Sequence, residues 1–246
     1  MNDKIIEFIK VSKSYDEKVV LDDINFHIDK GQFVTVIGSS GSGKTTLLKM
    51  INRLIEPTEG VIKVYDRNLA ESDIIELRRK MGYVIQSNGL FPHYNVEKNI
   101  TYIPNLTKKL SKDENLKLAN SKLESVGLSE GYLKSYPNEL SGGQQQRVGI
   151  ARALAANPEI ILMDEPFGAL DEITRKQLQE EIIHIHSNLG VTIVFVTHDI
   201  SEALKLGDKV MVMDKGEIMQ FATPDELINF PANDYVKDLI ESHMCN

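Results

Sequence analysis

An α/β core interrupted by a helical insertion is the fold this sequence predicts, on three observations. Residues 160–163 are an unbroken apolar run of strand length, 191–197 read as another buried strand, and Ile173, Leu178, Ile182, Ile185 and Leu189 mark one helix face between them. Strand, long helix, strand is the pattern of a right-handed crossover in a parallel sheet. A further apolar run, 33–37, enters a glycine-rich turn that opens a helix through residue 54. The stretch from about 74 to 158 is mostly helical by its apolar spacing, with 111–126 the clearest amphipathic segment.

The remaining elements follow in order. Residues 5–11 and 19–26 alternate as β segments ahead of the 33–37 strand, and Pro57 and Gly60 end the first helix and lead into a strand over 60–65. Gly190 supplies a C-cap between the long helix and the strand at 191–197. No repeat of 20–50 residues and no low-complexity tract interrupts this pattern.

Bulk properties narrow the function. The chain has 246 residues, 41% hydrophobic and 26% charged, which is ordinary for a globular protein with a sizeable core. A formal net charge of -8 argues against broad nucleic-acid binding, which needs a cationic surface to displace phosphate counterions. Cys245 is the only cysteine, so no internal disulfide forms, and a reducing cytoplasm fits. Met1-Asn2-Asp3-Lys4 opens no secretory signal. Apolar runs such as 191–196 fall far short of the ~18–20 residues needed to cross a bilayer. If the protein works at a membrane, another chain does the crossing.

The chemistry begins at Gly38-Ser39-Ser40-Gly41-Ser42-Gly43-Lys44-Thr45-Thr46, which matches G-x-x-x-x-G-K-[ST] between a strand and a helix. Glycines let the backbone curl until several N–H groups face one anion, and the helix N-terminus adds its positive dipole end. Lys44 is expected to neutralise the β- and γ-phosphates of ATP, and the Thr45 hydroxyl to ligate Mg²⁺. A glycine-rich loop carrying a surface lysine is the bland reading, and the strand–loop–helix context argues against it.

Two acids, Asp164 and Glu165, end the 160–163 strand. Ligands of open parallel sheets sit beyond the C-terminal strand ends, where both this pair and the phosphate loop fall. Asp164 suits holding Mg²⁺ through water, and Glu165 suits polarising an attacking water as general base. An Asp-Glu pair standing alone would be read as a solvated loop.

A second anion cradle lies at Leu140-Ser141-Gly142-Gly143-Gln144-Gln145-Gln146-Arg147, opening a helix over 144–156. Ser141 is a good N-cap, and two glycines leave backbone N–H groups bare beside the helix start. Both cradles close on one nucleotide in cis, or two copies exchange them; residue chemistry alone does not choose.

That octet resembles the signature motif of ATP-binding cassette (ABC) ATPases, and the rest of that family's set stands in its order. Tyr15 is similar to the aromatic that stacks on adenine, and Gln86 in Gly82-Tyr83-Val84-Ile85-Gln86 to the Q-loop glutamine. Ala169-Leu170-Asp171 resembles the D-loop, and His198 in Phe195-Val196-Thr197-His198-Asp199 the switch histidine that contacts the γ-phosphate and orients water. Singly, each has a plain alternative: an edge aromatic, loop polars, a capping histidine. The match runs from about residue 5 to 240. It implies a P-loop NTPase (RecA-like) core with an antiparallel β subdomain and an inserted α-helical subdomain. The layout is one nucleotide-binding domain over 1–246, with the core at about 1–87 and 159–246 and the helical part at about 88–158. The resemblance also selects the trans option: a head-to-tail homodimer or pseudo-dimer, the phosphate loop of one subunit and Ser141, Gly142, Gly143 and Gln144 of the other enclosing each ATP. Gln86 joins Thr45 and Asp164 as a Mg²⁺ ligand, and Asp171 joins the nucleotide contacts.

Finer features, Lys49-Met50-Ile51-Asn52-Arg53-Leu54-Ile55-Glu56-Pro57, Glu76-Leu77-Arg78-Arg79-Lys80 and Gly89-Leu90-Phe91-Pro92-His93, resemble ATPase subunits of glycine betaine/carnitine/choline importers. The sequence departs from that group at Asp66-Arg67, where Asp-Gly is usual, and at Ala222, where Gly is common; both positions are expected in peripheral turns. The regulatory CBS pair that some members carry after about residue 240 is not expected, nor is a transmembrane domain. The implied partners are two permease subunits and, indirectly, an extracytoplasmic substrate-binding protein, with the chain peripheral at the cytoplasmic face of the plasma membrane. Segment 87–101 is the candidate permease-docking surface. Import of an amino acid or polyamine is the nearest alternative. A soluble ABC ATPase on nucleic acid is disfavoured by the acidic balance and the lack of a heptad run. A P-loop kinase or GTPase is disfavoured by the Ser141–Arg147 octet, the acid pair and the missing Asn-Lys-x-Asp element.

Overall fold

The structure, a computed structural model, describes residues 3–85, 89–168 and 170–244. In chain order the elements are β1 (Lys4–Tyr15), β2 (Lys18–Asp29), β3 (Phe33–Gly38), α1 (Lys44–Ile51), β4 (Glu59–Val64), β5 (Arg67–Asn68), α2 (Ile74–Arg79), β6 (Met81–Val84), α3 (Val96–Thr107) and α4 (Lys112–Glu124). They continue as α5 (Gly142–Leu154), β7 (Ile160–Asp164), α6 (Glu172–Leu189), β8 (Thr192–Val196), α7 (Ile200–Leu206), β9 (Lys209–Asp214), β10 (Glu217–Ala222), α8 (Pro224–Asn229) and α9 (Asp234–Met244). The chain divides into two compact units, Met1–Leu77 with Thr192–Asn246, and Arg78–Val191.

The first unit holds two layers of strand. An antiparallel sheet runs β2-β1-β4-β5, with Phe8 paired to Phe26 on one side and to Ile62 on the other. Phe8 and Phe26 stack at 4.6 Å between ring centroids, an apolar contact that locks this register. Beside it β8, β3 and β9 run parallel, Val36 opposite Val196 and Met211, and β10 returns antiparallel on β9. Strands β3 and β8 are buried on both faces, so they read as continuous apolar runs without alternation. Ile37 of β3 and Val210 and Val212 of β9 pack with Ile200, Ala203, Leu227, Val236 and Ile240 of α7, α8 and α9 into one core.

The second unit is mainly helical, as its apolar spacing predicts. Ser111 caps α4 reciprocally: its Oγ accepts from the Glu114 N–H at 3.3 Å while the Glu114 carboxylate accepts from the Ser111 N–H at 2.7 Å. Gly190 ends α6 in the left-handed conformation, φ 58. One strand inside the stretch read as mostly helical, β6, pairs parallel with β7 from Met81–Ile160 to Val84–Met163. Its four residues include Gly82 and are too few to show a period of two, so only pairing with a distant strand defines it. Among the described residues no helix is long and apolar enough to cross a membrane.

Candidate functional site

In the first unit the phosphate-loop residues lie just beyond β3 and His198 lies just beyond its parallel neighbour β8. The Thr197 N–H donates to the Val36 carbonyl at 3.1 Å, continuing the pairing to the edge of both loops. Gly38 has φ 149, and a Cβ there would sit 2.0 Å from the Met213 carbonyl oxygen; only glycine lets the loop leave β3 against β9. Gly43, at φ 101, precedes α1 and faces the Leu21 side chain, where a Cβ would come within 2.5 Å. Gly41 has open space where a Cβ would stand.

Lys44 is buried, and its Nζ donates to the carbonyls of Gly38 at 2.8 Å and Ser39 at 2.9 Å. The Ser42 hydroxyl is also buried, without a hydrogen-bond partner. A desolvated ammonium, an unsatisfied hydroxyl and an open glycine at one helix start are a donor set that fits an anion of phosphate type. Thr45 and Thr46 are half-buried on the first turn of α1, and Ser40 is exposed. Tyr15, at the end of β1, is 46% exposed, with Lys13 Nζ 4.8 Å from its ring centroid. A planar partner can reach that ring.

His198 is exposed on a turn built by its neighbours. The buried Thr197 hydroxyl donates to Glu202 Oε2 at 2.6 Å and accepts from the Asp199 N–H at 3.0 Å. Asp199 in turn caps α7 by accepting from the Glu202 N–H at 3.3 Å.

In the second unit Asp164 ends β7 buried, and Glu165 follows with φ 44. A non-glycine residue in that region costs of order 1–3 kcal/mol and persists only where its surroundings over-determine it, as at functional sites. Tyr83 on β6 feels the Asp164 charge: burial first, and then that carboxylate, pushes its phenol up to about 12. The Tyr83 hydroxyl is buried without a partner. Gln86, two residues beyond β6, lies outside the described residues, as do Ser87 and Asn88 of the candidate docking segment.

Ser141 caps α5, its Oγ accepting from the Gln144 N–H at 3.3 Å while Gln144 Oε1 accepts from the Ser141 N–H at 2.9 Å. The helix therefore starts at Gly142, two residues before the expected 144. Gly142 faces open space, whereas a Cβ on Gly143 would meet Thr174 Cγ2 at 2.8 Å. The same Thr174 donates from its N–H to Asp171 Oδ1 at 3.0 Å and from its hydroxyl to Oδ2 at 2.7 Å, so Asp171 is the N-cap of α6. Those bonds, the backbone one first, hold its carboxyl below the usual range. Ala169, its neighbour in the D-loop motif, lies outside the described residues. Arg147 is buried against Glu181 and donates to the Val126 carbonyl at 2.8 Å, tying the octet to α6 and to the end of α4.

Three residues at these loops escaped the sequence reading. Asp214 and Tyr235 both bind Ser39, and Tyr83 stands against Asp164. An acid at the end of the apolar run 210–213 was the only signal for Asp214, and Tyr235 carries none.

Comparison with known proteins decides the family. The model of the ABC transporter family matches residues 21–168. This chain belongs to the ABC transporter family. It is 52% identical over 237 residues to a carnitine transport ATP-binding protein of Listeria monocytogenes, covering 96% of this chain and 59% of that protein. It is 51% identical over 237 residues to a glycine betaine/carnitine/choline transport ATP-binding protein of Bacillus subtilis, covering 96% and 62%. The chain thus spans about three fifths of the length of these curated relatives. Among solved ABC structures it is similar to the ATP-binding cassette MJ0796, dimeric in a post-hydrolysis state with ADP and phosphate, at TM-score 0.82 and 35% identity, covering 89% of this chain and 98% of that one. It is also similar to CbiO1 of Clostridium perfringens, at TM-score 0.85 and 28% identity, covering 98% and 94%. The fold is that of an ABC ATPase cassette, the P-loop α/β class expected from the sequence.

Proposed function

We propose that this chain binds Mg-ATP and hydrolyses it as the ATP-binding subunit of an importer for quaternary amines such as glycine betaine, carnitine or choline. The observation that carries the reading is identity of about half over 96% of the chain to ATP-binding proteins of such systems. One ABC nucleotide-binding domain over 1–246, with its core at about 1–87 and 159–246 and its helical part at about 88–158, is the organisation this implies.

In the proposed cycle the amides of 38–45 and the Lys44 ammonium hold the triphosphate, Tyr15 stacks on adenine, and Thr45, Gln86 and Asp164 hold Mg²⁺. The metal supplies charge neutralisation at the β- and γ-phosphates. Glu165 accepts a proton from the attacking water, and His198 and Gln86 hold that water in line. Ser141, Gly142, Gly143 and Gln144 of a second copy complete the γ-phosphate cradle, and Asp171 lines the same junction. Two anion-gripping turns on one triphosphate give closure a differential affinity, which is what lets nucleotide shift a two-state equilibrium. Hydrolysis splits the bridging charge and the pair reopens. Two separate permease subunits, docked at 87–101, convert that opening into a change of the face they present, with the chain peripheral at the cytoplasmic side. An extracytoplasmic binding protein delivers the solute.

Co-expression with permease and binding-protein partners, reconstitution into vesicles, and uptake of labelled glycine betaine, carnitine or choline on addition of Mg-ATP test this reading. ATP-dependent uptake of an amino acid or polyamine in their place removes the solute assignment. A purified chain without ATPase activity in the assembled complex removes the enzyme.

A further inference from the structure

Ser39, the second residue of the phosphate loop, is bonded through every polar atom it has. Its N–H donates to the Tyr235 phenol oxygen at 3.3 Å, and its hydroxyl donates to Asp214 Oδ1 at 2.9 Å. Its carbonyl accepts from Lys44 Nζ at 2.9 Å and from the Ser42 N–H at 3.2 Å. Two of these bonds stay within the loop, and two leave it for β9 and α9.

The two outside anchors are themselves rigidly placed. Asp214 ends β9, the strand whose Met213 carbonyl presses on Gly38. Tyr235 stands on the first turn of α9, which buries Val236 and Ile240 in the core that also contains Ile37, the residue before Gly38. The approach to α9 is pinned to β10. The Ala232 N–H donates to Gln220 Oε1 at 2.8 Å and Gln220 Nε2 donates to the Phe230 carbonyl at 3.1 Å, while Asn233 Oδ1 accepts from the Val236 N–H at 3.0 Å within the start of α9 itself. The half-buried Tyr235 ring packs on the same core, so its oxygen arrives at Ser39 with little rotamer freedom left to lose.

We propose that Tyr235 and Asp214 are positioning residues for nucleotide binding: through Ser39 they hold the first turn of the phosphate loop in the shape that receives the triphosphate, and they make the seating of α9 a determinant of ATP affinity. The inference rests on the proposed ATP binding but not on the transported solute. A loop that must present several N–H groups to one anion loses affinity when its free form samples other shapes, because the competent fraction multiplies the intrinsic affinity. Each anchor is a solvent-exposed hydrogen bond, so removing one calls for a modest change, roughly 3–10-fold in Kd.

The test uses Tyr235→Phe, which keeps the ring and its packing, together with Asp214→Ala and Asp214→Asn. Without nucleotide, hydrogen exchange of the peptide covering 37–43 should speed up in Tyr235→Phe while the thermal midpoint stays at that of the wild type. By calorimetry, the Kd for Mg-ATP should rise roughly 3–10-fold in Tyr235→Phe and in Asp214→Ala. Asp214→Asn, whose amide oxygen still accepts from the Ser39 hydroxyl, should keep the wild-type Kd. Unchanged exchange in Tyr235→Phe, or equal affinities for the alanine and asparagine variants, overturns the inference. A wild-type chain that does not bind Mg-ATP overturns the proposed function instead, and the exchange measurement still decides the Tyr235 anchor.

Discussion

The Nζ of Lys44 donates to the carbonyl of Gly38 at 2.8 Å, closing the phosphate loop on its own first residue. A second bond, to the Ser39 carbonyl at 2.9 Å, makes the ammonium the internal strut of the turn. The same charge is proposed to meet the β- and γ-phosphates, so one side chain both braces the loop and binds.

Lys44→Ala removes both contributions. Hydrogen bonds to charged groups are worth about 1.5–3 kcal/mol, which corresponds to a Kd for Mg-ATP raised roughly 10–100-fold. Calorimetry checks this, and an unchanged Kd removes Lys44 as a phosphate ligand.

Glu165→Gln keeps the shape of the side chain and deletes its basicity. ATP should bind normally while hydrolysis falls about 10²-fold or more, the usual worth of a positioned general base. The nucleotide-loaded variant should migrate as a dimer on gel filtration. Full turnover would assign the base elsewhere.

The two glycines of the second cradle separate steric damage from a lost contact. Gly142 faces open space, so Gly142→Asp should leave the monomer's stability and ATP binding intact while abolishing ATP-driven pairing and hydrolysis. Gly143→Asp drives its Cβ towards Thr174 and should also destabilise the fold by about 1–3 kcal/mol, the range for overpacking. Denaturant titration of both variants, with sedimentation in ATP, checks the pair. Normal hydrolysis by Gly142→Asp would be incompatible with a shared site.

Tyr83 gives a pH signature. Its phenol is raised from 10.0 to about 12, so the native state holds a proton that the unfolded chain releases between those values. Stability from this group is complete below pH 10 and is lost as pH rises towards 12. Tyr83→Phe should abolish that dependence. At neutral pH it should match or exceed the wild type, because the hydroxyl it deletes is buried without a partner. Chemical denaturation at neutral and alkaline pH measures both effects; a strongly destabilised phenylalanine variant would mean that the hydroxyl has a role the fold depends on.

What the sequence determined by itself is local. Phosphate loop and caps are each written within a few consecutive residues, because chain stiffness, glycine freedom and helix-end chemistry act over one or two turns. Ser141 and Gly190 show this, expected as the N-cap of one helix and the C-cap of another and found as such. Strand β6 shows the limit: four residues carry too little periodicity, and only pairing with β7 makes them a strand. Tertiary structure alone decided that Tyr235 and Asp214 anchor Ser39, and that Gly142 is open where Gly143 is crowded by Thr174. Such contacts depend on how strands and helices distant in the chain come to rest against one another. That placement is governed by packing of the whole core, and no short segment contains it.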